Sequence, residues 1–550
     1  MQKVPPEVWL EIFKQVPKSS DLYGINAASH QFRDLSSRAF HRDLKWQKEK
    51  HAEQDFDVWE ANPGMAVDVR SLCLSIGGEP SNKTSEEIAA ILDTGLPPHD
   101  LEGSVPYSRA FIASRSRSRL SDAQVVLWAR VRTFSNISSL TFHNMTVGKG
   151  HFCLIHGLSQ LRSLRVAQCT INGTAADCVD NRTLPITELT MLALTRGHGA
   201  HPRLGFPAGQ IHLLHAVQLA LGPGPAPLAP LPQLQMNQPL QIYDPFAHAL
   251  SLAVAENLRT LTVDLSAGIF CHVFGVASAQ DRGWVAPARL EHLYVLRDCT
   301  ITAPKLERSR HDDYDEEEEE EEPYQDAHLY NFCAQARNLR TISTPVFTPS
   351  AVALLPEHLP PRLEAFAAPL DAAQFVVAHR DVKALGVLKC ELNQHEAVGA
   401  LTLIAHARPG LKMLVFEVKV WDAAVVSAVS QRFKELRHLK FVYGSGAPDE
   451  DFLVSLSQYL AEMPDLHTLE MYRLPRDGKF KPEYRTHLFD PPWGSIEEEM
   501  RDIVVPWNRF GRKLRRVQLI SGYALTRPFE GATWKLEKVA KLKRVEYLDY

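Results

Sequence analysis

Cysteine is scarce in this chain. Eight stand singly among 550 residues, at 73, 153, 169, 178, 271, 299, 333 and 390. No Cys-x-x-Cys pair occurs, which excludes zinc ribbons and thioredoxin-like redox sites, and so few thiols cannot frame a disulfide scaffold of this length. Long apolar runs are missing too: the best stretch, Phe246 to Ala255, is too short for a bilayer and contains His248. Neither sign of charge dominates, with Lys+Arg 60 against Asp+Glu 65 and a net charge of -5. A chain-wide nucleic-acid footprint is therefore not expected. The motifs of catalysis are absent as well: no G-x-x-x-x-G-K-[ST] loop, no G-x-G-x-x-G, no H-E-x-x-H and no G-x-S-x-G elbow. His395-Glu396 is followed by Ala-Val-Gly-Ala, with no second ligand. The start, Met-Gln-Lys-Val-Pro-Pro-Glu, does not read as a signal peptide. These absences set the expectation of a non-enzymatic protein without cofactor or metal, not bound to membrane, working inside the cell in cytoplasm or nucleus.

What the chain does have begins at its N-terminus. Residues 4–46 read VPPEVWLEIFKQVPKSSDLYGINAASHQFRDLSSRAFHRDLKW. Pro5 and Pro6 suit a first helical turn, whose N–H groups have no intrahelical partner, and Glu7 there complements the helix dipole. Val8, Trp9, Ile12, Phe13 and Val16 recur at helical spacing and predict one apolar face. Pro17 stops that helix. A second helix is expected to carry Leu22 and Ile25, and a third Phe32, Leu35, Ala39, Phe40 and Leu44. Three short helices in about 40 residues lie near the lower limit of independent stability, so the unit is expected to dock on something.

The order of these residues resembles the F-box motif: apolar-Pro before x-Glu-Val, then Ile-Phe, a Pro-terminated helix, an Asp-Leu start and a Phe-Arg-x-Leu third helix. Val4 stands where the family has Leu, and Ala27-Ala28-Ser29 replaces its usual stretch. The resemblance covers residues 4–46 and sets 1–46 apart as a domain. It implies that Val4, Pro5, Pro6, Glu7, Ile12, Phe13, Val16 and Leu22 face the adaptor subunit of an SCF-type ubiquitin ligase, and through it a cullin.

Over residues 47–550 one pattern recurs, apolar-x-x-apolar-x-apolar. It begins at Val69, Ile137, Leu161, Ile186, Leu214, Leu258, Leu290, Val382, Leu411, Leu436, Leu466 and Leu514, incompletely at Leu363, and in part at Leu339. The residue after the leading apolar is often charged or His, as at Arg162, Arg259, Glu291, Arg340, Lys383, Lys412, Arg437, His467 and Arg515. A longer form ending in Cys occurs at Leu161-Leu164-Val166-Cys169 and Val382-Leu385-Val387-Cys390. Neighbouring starts such as 137, 161 and 186 lie roughly 25 residues apart, the leucine-rich range. Helix-like text lies between, as in Asp422 to Leu436 and Asp451 to Met463. The pattern resembles the irregular leucine-rich arrays that follow an F-box, particularly in fungal proteins. It implies an α/β fold class: a three-helix F-box followed by a curved α/β solenoid.

Insertions are expected near 97–121, 222–239 and 304–325. The last holds ten acids in the eleven positions 312–322, which self-repulsion keeps extended. Residues 475–495 mix Pro and Gly with Tyr484, Phe489 and Trp493, potential contact anchors. Together the resemblances imply a target-recognition subunit of a cullin-RING ubiquitin ligase, its repeats holding an unidentified target protein. Two alternatives stay open: a scaffold that uses the adaptor without a ligase, and an enzyme with an F-box-like helical cap.

Overall fold

The computed structural model describes most of residues 5–47, together with 63–76, 131–171 except 132, 183–196, 255–265, 286–297, 326–346, 356–473, 495–539 and 544–548. The three expected insertions, the acid run, the match at Leu214 and all of 475–495 except Ser495 lie outside the described residues. The chain divides into two compact units, residues 1–258 with 300–312, and 259–299 with 313–550.

The first unit opens with helices α1 (Pro6–Lys14) and α2 (Ser19–Ala28). Phe32, Leu35, Ser36 and Ala39 are helical as well. Leu44, expected on the third helix, instead lies in strand β1 (Asp43–Trp46), which pairs in parallel with β2 (Ser71–Leu74). The sheet therefore starts inside the span 1–46. Next come β3 (Ser139–His143), β4 (Thr146–Val147), α3 (Lys149–Gly157), β5 (Ser163–Ala167), β6 (Thr170–Ile171), β7 (Glu188–Leu192) and β8 (Thr195–Arg196). Strands β1, β2, β3, β5 and β7 form one parallel ladder, and β4, β6 and β8 a second short one. Like residues stack on like: Leu44, Leu72, Leu140, Leu164 and Leu189 occupy one register row.

In the second unit, β9 (Thr260–Asp264) and β10 (His292–Leu296) precede α4 (Asp326–Gln335). β11 (Thr341–Ser343) follows, and from β12 (Ala365–Ala368) on strand and helix alternate: α5 (Leu370–His379), β13 (Ala384–Cys390), α6 (Gln394–Ala407), β14 (Met413–Val420), α7 (Ala423–Arg432), β15 (His438–Ser445), α8 (Glu450–Ala461), β16 (Thr468–Arg473), α9 (Ile496–Val504) and β17 (Arg516–Ile520). The ladder from β9 to β17 is parallel throughout. Its last strands, β18 (Tyr523–Thr526) and β19 (Lys535–Lys538), are antiparallel. Lys535, Glu537 and Lys538 are well suited to a terminal strand, where charge discourages edge-to-edge pairing. Side chains cap the helices: Asn393 accepts from the Glu396 N–H while Glu396 accepts from that of Asn393, and Asp422, Asp449 and Ser495 accept at the starts of α7, α8 and α9.

The repeat pattern has a backbone cause. Each described leading apolar residue, from Val69 to Leu514, is buried and sits two positions before a strand. The carbonyl of the next residue then accepts two successive amides from the following repeat. Arg70 accepts from Ser138 and Ser139 at 2.8 and 3.0 Å, and Lys383 from Lys412 and Met413 at 2.8 and 3.1 Å. Arg162, Arg340, Lys412, Arg437 and His467 do the same. At Lys383, Lys412 and Arg437 the chain bends at this double acceptor, and the side chains at all these positions stay out of the core, so charge is tolerated. Just past β3, β5 and β7, Asn144, Gln168 and Ala193 take left-handed backbone, as does Lys389 at the irregular end of β13 (φ 51°, 56°, 49° and 51°). The turn buries Cys169 and Cys390 immediately after it. Burial pushes the Cys169 thiol up to about 11.

Candidate functional site

Two surfaces stand out, one in each unit. The first is built by α1. The α1 amides of Val8 and Trp9 point at the Pro5 carbonyl, 3.1 and 3.4 Å away. Helical spacing then makes two neighbouring stripes. Trp9 and Phe13 turn inward: their rings lie 5.8 Å apart, and Phe32 packs on both at 4.9 and 5.7 Å. Val8 and Ile12, one turn apart on the adjacent stripe, are each 46% exposed. The residues singled out for an adaptor thus divide. Pro5 and Ile12 are exposed and Val16 is half-buried, whereas Phe13 and Leu22 are buried within the helical unit. Pro6 and Glu7 lie in α1 with side chains outside the description, and Val4 lies outside the described residues. Val8 was absent from that set, although its i, i+4 spacing to Ile12 is visible in the sequence.

The second surface is one face of the second unit's sheet. Strand alternation places Ala365, Ala367, Ala384, Gly386, Met413 and Val415 on it. In the first unit the corresponding positions are polar and partly exposed, for example Ser139, Thr141, Ser163 and Arg165. Here they are small or apolar and buried, because the chain's own residues 544–548 cover them. Val545 and Leu548 form one buried cluster with Ala365, Ala367, Ala384, Leu388, Met413, Val415, Val442 and Tyr472, and no helix residue belongs to it. The trough is shallow by necessity. A Cβ on Gly386 would meet the Ala367 Cβ at 2.6 Å and a Leu548 methyl at 3.4 Å. Tyr547 packs on Tyr294 with ring centroids 4.8 Å apart.

Charge lines the trough's margin. Arg297 binds Glu417 through both terminal guanidinium nitrogens, one at 2.7 Å, and lies 3.8 Å from Glu546. Arg544 donates to Glu546 at 3.0 Å and to the Arg297 carbonyl at 3.4 Å. Burial pushes the Glu546 carboxyl up, but the Arg544 hydrogen bond and the charges of Arg544 and Arg297 outweigh it and hold the group below the usual carboxylate range. Further along, buried Lys440 lies 3.9 Å from Glu470 and 5.9 Å from the Tyr472 ring centre. Arg516 also reaches Glu470, at 3.3 Å. The small residues at outward strand positions were the signal for this cover: a solvated repeat face carries polar side chains there.

Among the described residues no group of three or more His, Cys, Asp and Glu is placed to hold a metal, and no helix is long and apolar enough to cross a membrane. No family model matches the chain, and no curated protein matches its sequence. Among solved structures it is similar to an internalin from Listeria monocytogenes, at 10% identity over 70% of this chain and 80% of that one, with a TM-score of 0.27. It is also similar to the leucine-rich-repeat ectodomain of the plant membrane receptor kinase GASSHO1/SCHENGEN3 from Arabidopsis thaliana, at 9% identity and a TM-score of 0.23. That match covers 62% of this chain and 34% of the receptor ectodomain, so this chain spans about a third of it. The repeat assignment rests on the strand register and the double-acceptor bend. By those features the chain carries a repeating α/β array of parallel strands.

Proposed function

We propose that this chain is the target-recognition subunit of an SCF-type ubiquitin ligase. Its N-terminal helices would bind the adaptor and, through it, a cullin, and its repeats would hold a target protein. The observation that carries the reading is the exposed Val8–Ile12 stripe on a helix whose sequence resembles the F-box. Two large aliphatic side chains one turn apart, on a unit too small to afford idle apolar surface, fit a helix-in-groove contact. The chain itself would do no chemistry. It would supply proximity, holding a target lysine near the conjugating enzyme carried by other subunits.

Affinity capture of the full chain from cells, with the proteasome blocked, tests this. Adaptor and cullin together in the captured complex support the ligase reading. Adaptor without cullin would support the scaffold alternative, and neither partner would contradict the proposal.

A further inference from the structure

We infer that the trough on the sheet face of β12–β15 is a peptide-binding site held closed by the chain's own C-terminal segment, and that its partner is a turn-forming peptide of the same chemistry, aliphatic–acidic–aromatic–aliphatic. The inference rests on reading the repeats as a target-holding surface, but not on any adaptor.

The segment sits on the sheet without belonging to it. Residues 544–548 are not a strand, and their backbone closes on itself in a turn, the Tyr547 N–H donating to the Arg544 carbonyl at 3.2 Å. The side chains make the contact: Val545 and Leu548 in the trough of small residues, Tyr547 on Tyr294, and Glu546 beside Arg297. Each side of the seam also holds a closer ion pair of its own, inside the 3.8 Å Arg297–Glu546 contact that crosses it. Glu546 is paired with Arg544 of its own segment, and Arg297 with Glu417 of the sheet. Departure of the segment breaks the 3.8 Å Arg297–Glu546 contact and the Arg544 hydrogen bond to the Arg297 carbonyl, but leaves Glu546 with Arg544 and Arg297 with Glu417, so neither acid loses its nearer partner, the event that makes a buried salt bridge costly to break. A trough faced with Ala and Gly, with a cation at its edge, would then be open to another segment bearing two aliphatic side chains, an acid between them and an aromatic ring.

The test uses the full chain and a fluorescent peptide with the sequence of residues 540–550. Wild-type protein should bind it weakly, and the V545D/L548D chain at least tenfold more tightly. A peptide carrying Glu546→Lys should lose most of that gain. In parallel, a protease site inserted between Val539 and Arg544 allows the folded chain to be cut. The released segment should exchange with labelled peptide within the time of a gel-filtration run. A cut segment that never exchanges, together with an opened variant that does not bind, would make the segment a permanent part of the core and overturn the inference. Wild-type dimers that exchange their tails would assign the trough to a second copy, and would overturn it as well.

Discussion

Individual side chains decide whether the repeat register described here is right. Leu385 is fully buried in the row of stacked apolar residues, whereas Lys383, two positions earlier, keeps about half its side chain in solvent beside Glu364. Leu385→Ala should cost about 2–5 kcal/mol, as core truncations do, and Lys383→Ala under about 0.5 kcal/mol. Equilibrium denaturation of the two variants checks the contrast, and equal losses would mean the register is wrong. A second residue ties stability to pH. His151 is fully buried, its Nδ1 accepting the Gly148 N–H at 3.1 Å and its ring edge-on to Phe142. Burial is the larger effect on it and lowers its pKa from 6.5 to about 3. The unfolded chain thus takes up a proton below pH about 6.5 that the folded chain refuses until about 3. The stabilisation is complete above the unfolded pKa and is lost as pH falls toward the folded one, by about 1.4 kcal/mol per pH unit. Between pH 7 and 5 the wild type should lose about 2 kcal/mol more than His151→Gln. Parallel losses in both proteins would remove His151 as the cause.

At the scale of the element, the recurring unit is a bend, a short strand and a left-handed turn. Strands β2, β3, β5, β7 and β9–β17 were legible because the pattern has a direct physical basis: a buried leading residue, a double acceptor after it, then the strand; β4, β6, β8, β18 and β19 follow no such match. Strand β1 escaped the pattern because its leading position is His41, a buried polar residue where the pattern requires an apolar one. Leu44 was assigned to a helix for the same reason, since helical spacing from Leu35 and Ala39 competes with the strand period over so short a stretch. The left-handed turn was not legible at all. Asn, Gln, Ala and Lys fill it in turn, so residue type gives no signal, whereas the Cys after it did. At the turns ending β5 and β13, Cys169 and Cys390 should resist thiol reagents in the folded chain, because burial keeps both thiols protonated. Rapid labelling of both under native conditions would show that the turns do not close as described.

At the scale of the whole molecule, a repeat array and a short helical unit stand in one chain. The α/β repeat array follows from register, hydrogen bonding and burial. The proposed adaptor surface is supported by a resemblance over residues 4–46 and by one exposed stripe. The sequence named Ile12 and Pro5 for that surface, and the structure leaves both outside. It also named Phe13 and Leu22, which are buried, Phe13 against Trp9 and Phe32, because a single sequence shows which residues are apolar on a helix but not how many neighbours it has to cover. The covering tail was missed for the opposite reason. Val545 and Leu548 belong to no periodic element, and only the fold brings them against residues 365–415. The most direct measurement is the affinity of purified adaptor for the full chain and for its V8K/I12K variant. Both changes lie at exposed positions, so the repeats should stay folded, while two ammonium groups forced into an apolar groove would cost several kcal/mol. The account predicts tight binding by the wild type and a loss of at least a hundredfold in the variant, with unchanged thermal unfolding. Equal affinity of the two chains, or no binding by the wild type, would contradict it.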